Sequence, residues 1–273
     1  MGSGSQYWVR RVIWLLLAAA VTVGLLAPIY LEIIVSPPAQ QFYDHVDAVP
    51  PDKILVLFCD WEPGTKGENA PQTEAVIRHC FERDIKFAIF GWAYPPGPEL
   101  GQQIADRLAE QYGKQYGVDW VNWGFKLGGG PMLRGLAKDI AAIVSEDIKG
   151  TPIRQVPLMR HVHDIEDVGM LVDVTPSATV PELIRYIYGI YRTPIGFACT
   201  GVMAPEAFPY LDSGQLVGIL KGLVGAAEYE WLIRHRGQAT EWMPAQSFAH
   251  VLIIVLVVLG NIRSLARRRS KSG

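Results

Sequence analysis

The chain has no large excess of charge of either sign, with 25 lysines and arginines against 27 acidic residues. A balanced charge gives no overall field that would attract nucleic acid, so no nucleic-acid partner is expected. Cysteine is also scarce. Cys59, Cys80 and Cys199 cannot all pair within one chain, and each lies in an apolar stretch. They are typical of small buried side chains, and a Cys59–Cys80 disulfide stays open for a domain outside the cytoplasm.

The motifs of common nucleotide sites and hydrolases are also lacking. The stretch LGGGP (127–131) has no Lys-Ser/Thr pair of a Walker loop, and no G-x-S-x-G nucleophile elbow is present. Gly128, Gly129 and Gly130 still precede a predicted helix, whose free amides can attract an anion. The two interpretations are a phosphate cradle and a tight turn that lets the backbone pass closely, and the second is favoured. We predict no cofactor and no catalytic residue.

Long apolar runs are present at both ends. Residues 12–35 contain a single charge, Glu32, and as a helix would reach about 36 Å, enough to cross a bilayer core of about 30 Å. The run is too long for the apolar region of a cleaved signal peptide. Residues 247–262 are shorter but are followed by the basic tail 263–273. We predict two transmembrane helices, at 12–35 and 247–262, and the lipid bilayer as a partner.

Basic residues predict the orientation of both helices. Arg10 and Arg11 precede the first, and Arg263, Arg267–Arg269 and Lys271 follow the second. The segment 36–52 has no lysine or arginine. Because basic residues favour the cytoplasmic side, the N-terminus (1–11) and the tail should be cytoplasmic. A Pro-rich spacer (36–52) would then lead to an extracytoplasmic domain (53–246).

Short apolar strands alternate with amphipathic helices through this domain. The strands are predicted at 53–59, 86–92, 119–125, 168–174 and 194–200, and the helices at 72–84, 98–117, 133–148 and 180–192. This alternation is typical of βαβ units. The predicted fold is α/β, a doubly wound, mostly parallel sheet of about five strands, Rossmann-like or flavodoxin-like.

In such sheets, ligands bind outside the carboxyl ends of the strands. The residues at those ends, which also include Tyr94 and Asp173, give the following ligand candidates: Asp60, Trp61, Trp92, Lys126, Gly128, Gly129, Gly130, Thr175 and Thr200. Rim residues also make turns and caps in any fold of this class, so the location is a stronger prediction than any one residue.

Two further segments attract attention. His161 and His163 would share one face of an extended segment and are weak metal candidates, with a solvated lead-in to the fourth strand as the favoured alternative. Gly214, Gly218, Gly222 and Gly225 fall within the segment 212–237, in which a helix is predicted at 212–233. Four-residue spacing would align these glycines for close packing, against either this chain or a partner subunit.

The favoured hypothesis is a non-catalytic, membrane-anchored subunit. Its domain would dock on other membrane-protein subunits or on copies of itself. The alternative is an extracytoplasmic enzyme or small-ligand receptor that uses the rim. Fold class alone does not choose between them.

Overall fold

The computed structural model describes residues 3–26 and 32–269, which fall into two compact units. One unit comprises Met1–Glu32 with Thr240–Gly273, and the other Ile33–Ala239. The helices are α1 (Ser3–Leu26), α2 (Pro37–Asp47), α3 (Lys66–Glu82), α4 (Gly97–Tyr112), α5 (Gly129–Lys138), α6 (Ile140–Ile143), α7 (Val180–Leu183), α8 (Gly189–Tyr191), α9 (Ala204–Asp212), α10 (Gly222–Leu232) and α11 (Gln238–Arg269). A π-helical turn (Ile184–Tyr188) joins α7 to α8, and 3-10 turns lie at Pro63–Thr65, Ile153–Gln155, Pro157–His161 and Ile165–Asp167.

Two helices are long and apolar enough to span a membrane, Tyr7–Leu26 and Gln238–Ser264, with mean hydropathies of 1.9 and 2.0. Both begin before the spans that the sequence predicts. Part of the first predicted span, 27–31, lies outside the described residues. The two helices touch at Gly24, where a Cβ would overlap the backbone of Ala245. Small residues at such a crossing let two apolar helices pack closely.

The second unit is built on a six-stranded sheet with the order β3-β2-β1-β4-β5-β6, parallel throughout. Its strands are β1 (Ile54–Cys59), β2 (Phe87–Gly91), β3 (Trp120–Phe125), β4 (Val168–Thr175), β5 (Ile195–Cys199) and β6 (Gly218–Lys221). The α/β prediction is confirmed, with six strands in place of about five. This order is that of the Rossmann-like, doubly wound sheet.

Helices cover both faces of the sheet, as the continuous apolar strands require. On one face, here called the α5 face, the core includes Phe58, Trp123 and Leu133. On the opposite α3 face, it includes Phe42, Ile77 and Leu108. The central strands are therefore buried on both sides.

The segment 36–52 is not a spacer. Pro37 begins α2, and Ala39, Phe42 and Val46 of this helix are fully buried in the α3-face core. Prolines are well tolerated in the first turn of a helix, because the first amides have no partner within the helix. The prolines that suggest a spacer thus start a core helix.

The glycine stripe of 212–237 does not form. Asp212 is the last residue of α9, Gly214 lies in a turn with φ of +71°, and Gly218 begins β6. Gly222 has φ of +55° at the junction of β6 and α10. A Cβ at Gly218 would overlap the backbone of Phe42. Gly214 and Gly222 adopt left-handed backbone conformations, and the absence of a side chain at Gly218 leaves room for α2. The predicted long helix is therefore wrong.

Candidate functional site

The strand order places β1 beside β4 at the centre of the sheet, and the chain leaves these two strands toward opposite edges. Such a switch point opens a crevice at the carboxyl ends of the two strands. Asp60 directly follows β1, and its amide donates to the carbonyl of Val174 at 2.9 Å. Asp173 lies within β4, with Phe58 of β1 and Phe197 of β5 as its register partners. The two strands therefore bring two carboxyl groups to one place.

Both carboxyl groups belong to the α5 face. Phe58 and Phe197, the register partners of Asp173, lie in the core of that face. Side chains alternate along a strand, so Asp60, two residues after Phe58, is directed to the same side. Both aspartates are fully buried.

One oxygen of Asp60 holds the loop that follows β2. Its Oδ1 accepts the amides of Trp92 and Ala93, each at 2.7 Å, and that of Tyr94 at 3.4 Å. Its Oδ2 is buried without a hydrogen-bond partner among the described residues. Burial raises the pKa of Asp60 to about 6, although the three amides oppose the shift. This carboxyl group therefore changes its protonation close to neutral pH.

Asp173 holds the loop that follows β4 in a similar way. The hydroxyl of Thr179 donates to its Oδ2, while no described residue bonds to its buried Oδ1. Burial, aided by the negative charge of Asp60, holds the pKa of Asp173 well above its usual range. Two carboxyl groups that cannot easily ionise together tend to keep a proton on one of them. Asp173 accepts one hydrogen bond where Asp60 accepts three, so it is the better placed of the two to keep that proton.

The two loops held by the carboxyl groups also meet each other. The hydroxyls of Tyr94 and Ser177 are 2.8 Å apart, and the amide of Ser177 donates to Thr175 Oγ1 at 3.1 Å. The amide of Thr179 donates to the carbonyl of Ser177 at 3.0 Å. Hydrogen bonds thus link Asp60 through Tyr94, Ser177 and Thr179 to Asp173. Each carboxyl group keeps one oxygen outside these hydrogen bonds.

Three of the predicted ligand residues, Asp60, Trp92 and Thr175, take part in this arrangement. The indole of Trp92 is nearly buried, and its Nε1 has no partner in the described part of the chain. Trp61 instead packs in the α3-face core, where it donates to Thr73 at 3.1 Å. Thr200 is buried after β5, with its hydroxyl likewise unpaired within the described ranges. Asp173 and Thr200 therefore border the crevice from the β4–β5 side.

Lys126 and the three glycines follow β3, two strands away from β1. Two strand spacings amount to about 10 Å. Gly128 and Gly129 have φ of +141° and +52°, and a Cβ on Gly130 would overlap the ring of Tyr186. The glycines thus give α5 a sharp start and let it pack closely on the π-helical turn. This geometry supports a tight turn as their role.

The two histidines do not share a face. His161 lines one cleft with Lys53 and Lys86, and His163 lines another with Arg154 and Arg160. Across residues 3–26 and 32–269, no group of three or more histidine, cysteine or acidic residues is arranged to hold a metal ion. All three cysteines are free thiols in buried positions. Burial raises the pKa of each thiol, that of Cys199 to about 12.

Sequence reasoning puts Asp173 on the rim but does not single it out. The available signal is one acidic residue inside the otherwise apolar strand 168–174, since an unpaired charge is costly to bury. Comparison with known proteins gives no further guidance: no protein-family model, curated protein or solved structure matches the chain. The chemistry of Asp60 and Asp173 is therefore the main basis for a functional assignment.

Proposed function

We propose that this chain is a two-pass membrane protein whose α/β domain binds a small polar ligand at the switch point between β1 and β4. One observation carries the proposal: Asp60 and Asp173 are both fully buried, and each has one oxygen without a partner in the described chain. A buried polar atom without a hydrogen bond costs roughly 1–3 kcal/mol. A ligand that supplies the missing hydrogen bonds would recover that cost.

The protonation of the pair suggests the ligand's chemistry. A protonated Asp173 can donate a hydrogen bond, whereas Asp60, with a pKa of about 6, accepts one when ionised. A hydroxyl group both donates and accepts hydrogen bonds. An amino group also donates, and it either accepts a hydrogen bond or carries a positive charge. Both groups are therefore complementary to this combination. Two carboxyl groups with different pKa values also have the composition of an acid–base pair. The same geometry therefore suits a receptor or an enzyme for a hydroxyl- or amine-bearing molecule.

The membrane placement is part of the proposal. The helices Tyr7–Leu26 and Gln238–Ser264 would both cross the bilayer. Basic residues lie at the terminal end of each helix (Arg10 and Arg11 in the first, Arg263 and the tail after it in the second), while 36–52 has none, which by the positive-inside rule favours cytoplasmic termini and an extracytoplasmic domain. In this orientation, the crevice would meet ligands outside the cytoplasm.

Native mass spectrometry of the full chain, extracted from its own membrane in mild detergent, tests the ligand site. We expect the wild-type protein to retain a small molecule, and Asp60→Asn and Asp173→Asn to lose it. Asparagine keeps an acceptor for the loop amides while removing the ionisable group. Asp44→Asn, an exposed change on α2, is the matched control and should retain the molecule. A wild-type protein that carries no small molecule would contradict the proposal.

A docking role is the second candidate, and a separate observation favours it. Leu127 and Val202 are each 83% exposed, and they follow β3 and β5 at the carboxyl edge of the sheet. The two side chains are four strand positions apart, so a partner that covers both would extend along this edge of the sheet. The domain would then be a non-catalytic subunit that docks on another membrane protein or on a second copy. The same spectra test this role: an assembly should be lost in Leu127→Ser/Val202→Ser and kept in Ile190→Ser.

A further inference from the structure

A cationic surface lies on the segment 153–163, away from the carboxyl pair. This segment contains two 3-10 turns and packs its apolar side chains into the α5-face core, namely Ile153, Val156, Leu158, Met159 and Val162. The residues between them, Arg154, Arg160, His161 and His163, are exposed. The buried side chains hold the backbone in place. The basic side chains are therefore presented from a fixed platform.

Three of these side chains line one cleft of about 440 Å³, together with Asp139 and Ala141. Neither Arg154 nor Arg160 forms an ion pair with an acidic residue in the described part of the chain. Asp139 lines the same cleft, but its Oδ1 accepts the amide of Ala142 at 3.1 Å as a helix cap. The cleft therefore contains two arginines without an acidic partner.

The acidic residues that follow in sequence are engaged elsewhere. Asp167 Oδ2 accepts the amide of His163 at 2.7 Å, and Asp164 Oδ1 accepts the amide of Glu166 at 2.8 Å. Asp164 and Asp167 form a capping box around the 3-10 turn Ile165–Asp167, in which the amide of Asp164 also donates to Asp167 Oδ2, at 3.4 Å. None of these three acids lines the cleft. They cap a turn and leave the arginines unpaired.

A second cleft of about 340 Å³ adjoins the first, because Val162 lines both. Its polar lining consists of Lys53, Lys86 and His161 and of one acidic residue, Asp52. Lys53 and Lys86 precede β1 and β2, so this surface lies at the amino edge of the sheet, opposite the carboxyl pair. Lys53 and Lys86 exceed the single acidic residue of this cleft by one charge, and a bound anion is attracted by such an excess. The lysines thus add to the positive potential around the arginines.

We propose that Arg154, Arg160 and His163 form a binding site for a phosphate group. The guanidinium fork matches phosphate oxygens in bidentate geometry, and an imidazole nitrogen supplies a further donor. The phosphate could belong to a soluble phosphate compound or to the headgroup of an anionic lipid. This site is separate from the crevice at Asp60 and Asp173, and does not depend on the function proposed for it.

The test uses the full chain in phosphatidylcholine nanodiscs, titrated with glycerol 3-phosphate by calorimetry. A second arm uses nanodiscs of mixed phosphatidylcholine and phosphatidylglycerol, in which native mass spectrometry counts the phosphatidylglycerol molecules retained. The variant is Arg154→Gln/Arg160→Gln. The control is Lys66→Gln/Arg134→Gln, which removes two exposed positive charges elsewhere in the domain.

We expect the first variant to weaken binding by about tenfold or more for each arginine, because charge-assisted hydrogen bonds are lost. The control should bind as the wild type does. Binding of glycerol 3-phosphate identifies a soluble ligand, and selective retention of phosphatidylglycerol identifies a lipid headgroup. Absence of binding in both arms, or equal binding by both double variants, would overturn the proposal.

Discussion

Replacing Asp60 by asparagine should stabilise the ligand-free domain. The asparagine Oδ1 can still accept the amides of Trp92 and Ala93, which Asp60 Oδ1 holds at 2.7 Å. What disappears is the buried negative charge, because the asparagine Nδ2 takes the place of Oδ2, which has no partner in the described residues. Residues that bind ligands often reduce the stability of the free protein in this way. A gain in stability is therefore the expected signature of a binding residue.

The size of the gain follows from the pKa. Burial raises the pKa of Asp60 from 3.8 to about 6, and each unit corresponds to about 1.4 kcal/mol. The ionised form therefore costs the folded state about 3 kcal/mol. Because the folded pKa is raised, the cost is absent below the unfolded pKa and develops as pH rises from about 4 to about 6. The variant should thus exceed the wild type by up to about 3 kcal/mol at about pH 7.

Equilibrium unfolding in urea, followed by tryptophan fluorescence across this pH range, measures the difference. Buried Trp92, Trp120 and Trp123 report on the α/β domain. The exposed Asp44→Asn serves as the control and should change little at any pH. An Asp60→Asn protein that is less stable than the wild type at neutral pH would refute the reasoning. So would a gain in stability that does not depend on pH.

Two further substitutions test the packing. Phe42→Ala should lower the free energy of unfolding in urea by about 3–5 kcal/mol, because the ring is fully buried. The exposed Gln41→Ala is the control. If Phe42→Ala lost almost no stability, 36–52 would lie outside the core. Gly130→Ala should cost about 1–3 kcal/mol by overlap with Tyr186, and Tyr186→Ala should restore part of it. Gly67→Ala, where a Cβ meets no atom within 4 Å, should cost nothing; an equal loss in both glycine variants would rule out the overlap.

The central sheet is predictable from sequence because its signal is local. The five predicted strands match β1 to β5 to within about a residue at each end, since continuous apolar runs flanked by turns specify buried parallel strands. Their carboxyl ends therefore also follow from the sequence, and with them the rim. The four-residue strand β6 lacks that signal, because it begins with Gly218 and ends with Lys221. Gly218 and the glycines on either side of the strand, Gly214 and Gly222, have the four-residue spacing of a helix stripe.

The proximity of Asp60 and Asp173 could not be predicted from the sequence, for a different reason. The two residues are 113 positions apart, and their proximity depends on β4 pairing with β1 in place of another strand. Each aspartate alone is an ordinary strand-end or turn residue. Only the strand order makes them neighbours, and only burial of both leaves an oxygen of each unpaired. A buried pair of carboxyl groups such as this one can be recognised only when the fold is known.

Two wrong predictions, a spacer at 36–52 and a helix at 212–233, have a common origin. The segments pack on each other: the rings of Phe42 and Tyr229 are 5.5 Å apart, and Ser36 Oγ donates to Glu228 at 2.5 Å. Position 218 requires a glycine, because a Cβ there would overlap the backbone of Phe42 in α2. Neither segment carries a sufficient local signal, because the structure of each depends on the other, almost 200 residues away. On α10, Glu228 accepts the hydrogen bond from Ser36 near the first residues of the domain. Glu230 accepts the amides of Gly237 and Ala239 near its last residues. Both ends of the domain are therefore hydrogen-bonded to α10. This contact explains why 36–52, which has the composition of a linker, packs into the core.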